Sequence, residues 1–383
     1  MIISSTFFLF LITIVASYWL IPRQDLRNLY LSLASVAFIA FYDRWAAVVV
    51  VTLTGYTYAC ACLIEMRSRK WFFHKLGVVG IVLTLVMFKY LGLLSGTINM
   101  FAQFFVDFPV ISFENILLPF GISYITLKYI SYITDVYWRV VGRGRFVDLL
   151  CYGSLFTIFV AGPIERFERF KPQIESPRIK FEFDHIEAGF ERIVFGLFKK
   201  LVIADWIGYF INPLWEKHSP LEIGVFALVL LGYSVQIYMD FAGYSDIAIG
   251  ASRLLGLKIC ENFNYPYFQQ NISQFWQSWH ISLSQWIRDY LFFPLNKLST
   301  NKVYVLVGVP LIAMALCGLW HGASWHFVVW GCWHGAGIAL LQLWNVHKRK
   351  RVWAALLSRK HWFGVVSMVI TFGFVTIGWI WFR

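Results

Sequence analysis

The sequence predicts an all-α polytopic membrane protein, and three observations carry that prediction. Hydrophobic residues make up 59% of the 383 and charged residues only 14%, whereas a soluble domain carries about 25% charged residues. The apolar residues are gathered into runs long enough to cross the hydrocarbon of a bilayer as helices. The basic residues, which give a net charge of +12, cluster between those runs, as they do in cytoplasmic loops. A basic balance can also signal nucleic acid, but clustering between hydrophobic segments argues against that partner.

The amino terminus, MIISSTFFLFLITIVASYWLIP, has no basic leading segment and no small-residue cleavage site. It reads as a retained first helix rather than a signal peptide. Apolar runs fall at 2–21, 29–42, 45–64, 77–98, 116–137, 149–164, 190–211, 221–239, 303–320, 324–344 and 362–382, which gives about eight to eleven crossings. The loop 22–28 carries Arg23 and Arg27, and 65–75 carries Arg67, Arg69, Lys70 and Lys75, while 99–115 has Asp107 and Glu114 and no Lys or Arg. With the basic loops inside, the amino terminus is expected outside, and the basic block at 347–360 is expected in the cytoplasm.

Two stretches are too polar for simple spans. Residues 162–187 mix aromatics, prolines and both charge signs, which suits amphipathic pieces lying at the membrane interface. Residues 257–300 are long, polar and aromatic, the pattern of a re-entrant or functional segment. No repeat of fixed period and no linker divides the chain, so residues 1–383 are expected to form one membrane domain.

Six cysteines (Cys60, Cys62, Cys151, Cys260, Cys317 and Cys332) show neither a CxxC pair nor a Cys/His metal spacing, so no disulfide framework, metal site or bound cofactor is expected. The chemistry falls to histidine. His321, in CGLWHGASWHFVVWGCWHG (317–335), lies at the end of an apolar span, where an ionisable ring is costly and marks a candidate site. The following Gly322 leaves room for a ligand to approach the backbone closely. A helix-end ring in an aromatic belt fits the same spacing, and residue pattern leaves the two readings open.

Residues 273–290, SQFWQSWHISLSQWIRDY, place Trp276, Trp279, His280, Leu283, Trp286 and Ile287 on one face of a single predicted helix, with Gln277, Ser278, Ser282 and Gln285 on the other. His280 is therefore expected to be buried, either as a hydrogen-bonded core residue or as a second catalytic ring. The second Trp-His-Gly ends in Gly335, and on a continuous helix His334 would face away from His321; His326 and His334 read as structural. Candidate substrate contacts are Asp240, Asp246, Asn262, Asn264, Trp276, Trp279, Arg288 and Trp320. The five polar ones each have a structural counterpart: a helix terminus for the aspartates, a turn for the asparagines, an ion pair with Asp289 for Arg288.

These residues resemble the membrane-bound O-acyltransferases (MBOAT), in the bacterial branch that contains the alginate and peptidoglycan O-acetylation membrane subunits and, more distantly, the D-alanyl transferase of teichoic acids. The matching stretches run in order: LPFGISYITLKYISYITDVY (118–137), AGPIERFERF (161–170), GLFKKLVIAD (196–205), MDFAGYSDIAIG (239–250), NFNYPY (262–267), FWQSWHISLSQWIRDYLFFPL (275–295) and GLWHG (318–322). By this resemblance His321 corresponds to the family's catalytic histidine and His280 to its second characteristic one. The resemblance further implies a ring of transmembrane helices with re-entrant and interfacial pieces around a central funnel or pore. Relatives in the acetylase branch continue beyond the position of IGWIWFR (377–383), so the chain is expected to be short or to lack a carboxy-terminal portion.

The implied activity is acyl transfer to a hydroxyl, with His321 as general base and His280 orienting or polarising the reacting groups, and with a covalent acyl intermediate left open. The implied donor is acetyl-CoA. The implied partners are an envelope polysaccharide acceptor, membrane lipid and an extracytoplasmic acetyltransferase or esterase-like protein, in a bacterial cytoplasmic membrane. D-alanyl transfer from a carrier-protein thioester is the alternative within the family; a transporter or a non-catalytic scaffold is the alternative outside it.

Overall fold

The computed structural model describes residues 3–66, 68–102, 118–176, 181–216, 222–350 and 361–383, and these contain helices and turns but no strand. Arg67, most of the 99–115 loop including Asp107 and Glu114, residues 177–180 of the interfacial stretch and residues 351–360 of the basic block lie outside the described residues. Six described helices are long and apolar enough to cross a membrane: Arg44–Met66, Lys70–Ala102, Ile223–Leu254, Tyr304–His321, Trp325–Lys348 and Trp362–Phe382. The chain is a multi-pass membrane protein.

The remaining apolar runs are shorter or more polar helices. Ser5–Leu20 starts where the Ser4 side chain accepts the Phe7 N–H at 3.2 Å, an N-cap that satisfies one free donor of the first turn. The run at 149–164, expected as a span, is instead the short helix Phe146–Ser154 followed by turns. Hydrophobicity alone did not distinguish a span from a segment buried inside protein. Leu155, Phe156, Ile158 and Phe159 are all core residues, so protein rather than lipid surrounds that run.

The helices pack into two compact units, residues 1–195 with 244–260, and residues 196–243 with 261–383. In the first unit, Arg44–Met66, Lys70–Leu85 and Ile122–Trp138 pack on one another, and Gln24–Tyr42 packs on Phe146–Ser154. Its centre is polar as well as apolar. Lys128 is buried, donates to the Tyr152 carbonyl and lies with Nζ 4.4 Å from the centre of the Tyr152 ring, while the Tyr152 hydroxyl donates to the Glu165 carbonyl at 2.8 Å. The stretches 118–137 and 161–170 are thereby joined through one tyrosine. Helix Ile223–Leu254 stops at Gly256, whose φ of +76° suits a residue without Cβ, and the Leu257 N–H closes the end on the Ser252 carbonyl at 3.0 Å.

In the second unit, Val309–His321 and Trp325–Lys350 form the principal helix pair. Three glycines bring their backbones together. A Cβ on Gly318 would overlap the Phe327 carbonyl, one on Gly331 the Met314 carbonyl, and one on Gly335 would lie 2.9 Å from Leu311 Cα. Gly331 and Gly335 form a G-x-x-x-G pair, the spacing that lets membrane helices approach closely. The glycine of the second Trp-His-Gly is thus a packing residue.

Candidate active site

The site is assembled by two stretches of the second unit that run beside each other. The Asn264 N–H donates to the Ser278 carbonyl and the Ile281 N–H to the Asn262 carbonyl, each at 2.9 Å. Between these bonds the chain turns sharply. The helix predicted over 273–290 is broken into Ile272–Ser278 and Ile281–Ile287, with His280 as the cap residue between them at φ +42° and ψ 54°. A left-handed conformation at a non-glycine residue costs about 1–3 kcal/mol and persists where surrounding bonds enforce it. The uninterrupted 3.6-residue period of the sequence concealed the break.

The predicted stripe is nevertheless buried. Trp276, Trp279, His280, Leu283, Trp286 and Ile287 are all core residues, but so are Ser278 and Ser282 from the face expected to be polar. Ser282 is drawn in by Asn262: its hydroxyl and its N–H both donate to Asn262 Oδ1, at 2.7 and 3.3 Å. The same oxygen lies 3.3 Å from His280 Nδ1. Asn262, expected to be a turn residue or a substrate contact, is fully buried and holds the histidine. Its partners lie eighteen and twenty residues away, which no local spacing reveals.

His321 ends its helix with its ring centroid 6.5 Å from that of His280. Aromatic rings enclose the pair. Phe241 meets His280 edge-on at 4.7 Å, and Trp320, Trp330 and Phe382 lie 5.0, 5.1 and 5.2 Å from His321. His280 is buried whereas His321 is part exposed, so the pair can be reached from the His321 side. Outside the six spans, burial holds the His280 imidazole well below the ordinary histidine range, and His321 pushes the same way. His280 Nε2 is buried and makes no hydrogen bond among the described residues.

The room expected beside Gly322 is filled. A Cβ there would collide with the Phe327 ring, so the glycine admits a phenylalanine rather than a ligand. His321 and His334 are not on one continuous helix, because the chain breaks at 322–324. His334 is instead buried against Trp330 and Trp276, at 4.9 and 5.2 Å, and shares Trp330 with His321. His326 Nδ1 donates to the Trp381 carbonyl at 2.8 Å, a structural bond.

Other candidates are spread more widely. Trp276 and Trp320 belong to the aromatic shell, and Trp279 packs on Trp379 at 5.1 Å. Trp276 also borders a cavity of about 510 Å³ lined by Gln277, Ile281, Gln285, Arg288 and Met314, within the size range of small-molecule pockets. Arg288 pairs with Asp289 at 2.8 Å on its rim. Asn264 is exposed. Asp240 pairs with Lys200 at 2.6 Å, and Asp246, in the other unit, pairs with Arg192 at 2.7 Å. Phe241, Trp330 and Phe382, which complete the shell, carry no sequence signal that separates them from the other aromatics.

Two histidines converging in an aromatic shell can receive and pass a proton between largely apolar walls. The family model of the membrane-bound O-acyltransferases matches residues 116–372. The chain belongs to that family. Its sequence is 34% identical over 393 residues to the "Probable alginate O-acetylase AlgI" of Pseudomonas aeruginosa, covering all of this chain and 72% of that one. It is 28% identical over 387 residues to the peptidoglycan O-acetyltransferase of Helicobacter pylori, covering 93% and 71%. Against the teichoic acid D-alanyltransferase of Streptococcus thermophilus it is 28% identical over 357 residues, covering 89% and 80%. The protein is a membrane-bound O-acyltransferase.

Proposed function

We propose that this O-acyltransferase moves an acetyl group from acetyl-CoA at the cytoplasmic face to hydroxyls of a cell-envelope polysaccharide, directly or through an extracytoplasmic partner. The observation that carries the proposal is the approach of His280 and His321 inside one aromatic shell. His321 takes the proton of the acceptor hydroxyl as its oxygen attacks the thioester carbonyl. The new C–O bond forms, the C–S bond breaks, and the proton passes to the leaving thiolate. His280 orients the acceptor. The surrounding tryptophans and phenylalanines limit water, which would otherwise hydrolyse the thioester.

The acetyl donor is favoured by the names of the alginate and peptidoglycan relatives. D-alanyl transfer from a carrier-protein thioester is the second reading, favoured by the teichoic acid relative. The clustered Lys and Arg of the loops at 22–28, 65–75 and 347–360 support an orientation with the amino terminus outside, in a bacterial cytoplasmic membrane. Inverted membrane vesicles containing the protein, loaded with an envelope polysaccharide and supplied with acetyl-CoA outside, are expected to release free thiol and label the enclosed polymer. Release from a D-alanyl carrier protein with none from acetyl-CoA would overturn the acetyl assignment.

A further inference from the structure

We infer that Asn262 is a positioning residue that fixes which nitrogen of His280 carries the proton, so that the ring offers an unprotonated Nε2 to the acceptor. The inference rests on the acyl-transfer reading and assigns His280 its direction within it. It follows from three contacts on one atom. The Ser282 backbone N–H can only donate, so the side-chain atom of Asn262 that it meets at 3.3 Å must be the carbonyl oxygen and not the amide nitrogen. The Ser282 hydroxyl donates to the same oxygen at 2.7 Å. An oxygen that only accepts then requires His280 Nδ1, 3.3 Å away, to bear its hydrogen.

A neutral imidazole carries one N–H, so Nδ1–H leaves Nε2 with a lone pair. That nitrogen is buried and makes no hydrogen bond among the described residues. His280 in this state can only accept a hydrogen bond, so it orients the acceptor through a neighbouring hydroxyl, leaves the reacting O–H to His321 and does not donate to the thioester carbonyl. The strained backbone at φ +42° supports the same arrangement, because the Asn262 carbonyl holds the next N–H, that of Ile281, at 2.9 Å. Asn262 thus grips His280 through its side chain and Ile281 through its main chain.

The test is the nitrogen spectrum of the full chain labelled with ¹⁵N-histidine, in lipid or detergent and without substrate, with His280 assigned by its loss in His280→Gln. The wild type is expected to show a protonated Nδ1 and a bare Nε2. Asn262→Ala is expected to release Nδ1, mix the two tautomers and lower kcat by about tenfold to a hundredfold with KM nearly unchanged. Ser282→Ala removes the hydroxyl but not the backbone donor, so its tautomer is expected to match the wild type. A protonated Nε2 in the wild type would overturn the inference even if Asn262→Ala failed to fold. So would an unchanged tautomer in a folded Asn262→Ala. Because the spectrum is read without turnover, failure of the acyl-transfer reading, seen as full activity in His321→Ala, is a separate outcome.

Discussion

His280 starts one helix, His321 ends another, and their rings stand at 60° with centroids 6.5 Å apart. If the two rings serve one acceptor, their removal is not additive. His321→Ala is expected to lower turnover by about a hundredfold or more, the scale of losing a general base. His280→Ala should cost less, and the double variant little more than His321→Ala alone. Additive losses in thiol-release kinetics on folded protein would show that the rings act independently.

Topology gives a second test. Cysteines placed at Lys70 and Lys348 are expected to resist an impermeant maleimide in sealed cells and to react after permeabilisation, because basic loops stay inside. Labelling from outside at either position would invert the proposed orientation.

Gly331 gives a third. A side chain there would drive into the Met314 carbonyl, so Gly331→Leu is expected to destabilise the protein by about 1–3 kcal/mol or more, the usual cost of overpacking. It touches neither catalytic candidate. Unfolding temperature in detergent reads the effect, and a variant as stable as wild type would show that the two helices are free to separate.

The fourth concerns pH. Burial depresses the His280 imidazole in the folded chain, so on acidification the unfolded chain takes up a proton first. The stability involved is full above about pH 6.5, the ordinary histidine value, and is lost as pH falls from there toward the depressed one. Unfolding temperature should drop between about pH 7 and pH 5, and His280→Gln should remove part of that slope. An identical slope in the variant would mean that His280 titrates normally.

Much of this arrangement was legible in one dimension, because hydrophobic runs and a buried stripe are local patterns. The helices Arg44–Met66, Tyr304–His321 and Trp362–Phe382 fall on the apolar runs at 45–64, 303–320 and 362–382. The stripe from Trp276 to Ile287 is buried as its period requires. What escaped was set by partners distant in sequence. The break at His280 depends on bonds from Asn262 and Asn264, and Ser282 is buried because of Asn262. Gly322 looked like an opening in the sequence, and only the position of Phe327 shows it closed.

The seam between Val309–His321 and Trp325–Lys350 has one more consequence. At Gly318, Gly331 and Gly335 main chain meets main chain. Main-chain atoms have no rotamers with which to absorb a change, so the seat of His321 cannot be retuned by repacking. Substitutions on the lipid-facing sides of the two helices leave the imidazole where it is, whereas a single methyl group at the seam relocates it. Side chains such as Gln277 and Gln285, which line the cavity, do have rotamers with which to absorb a change.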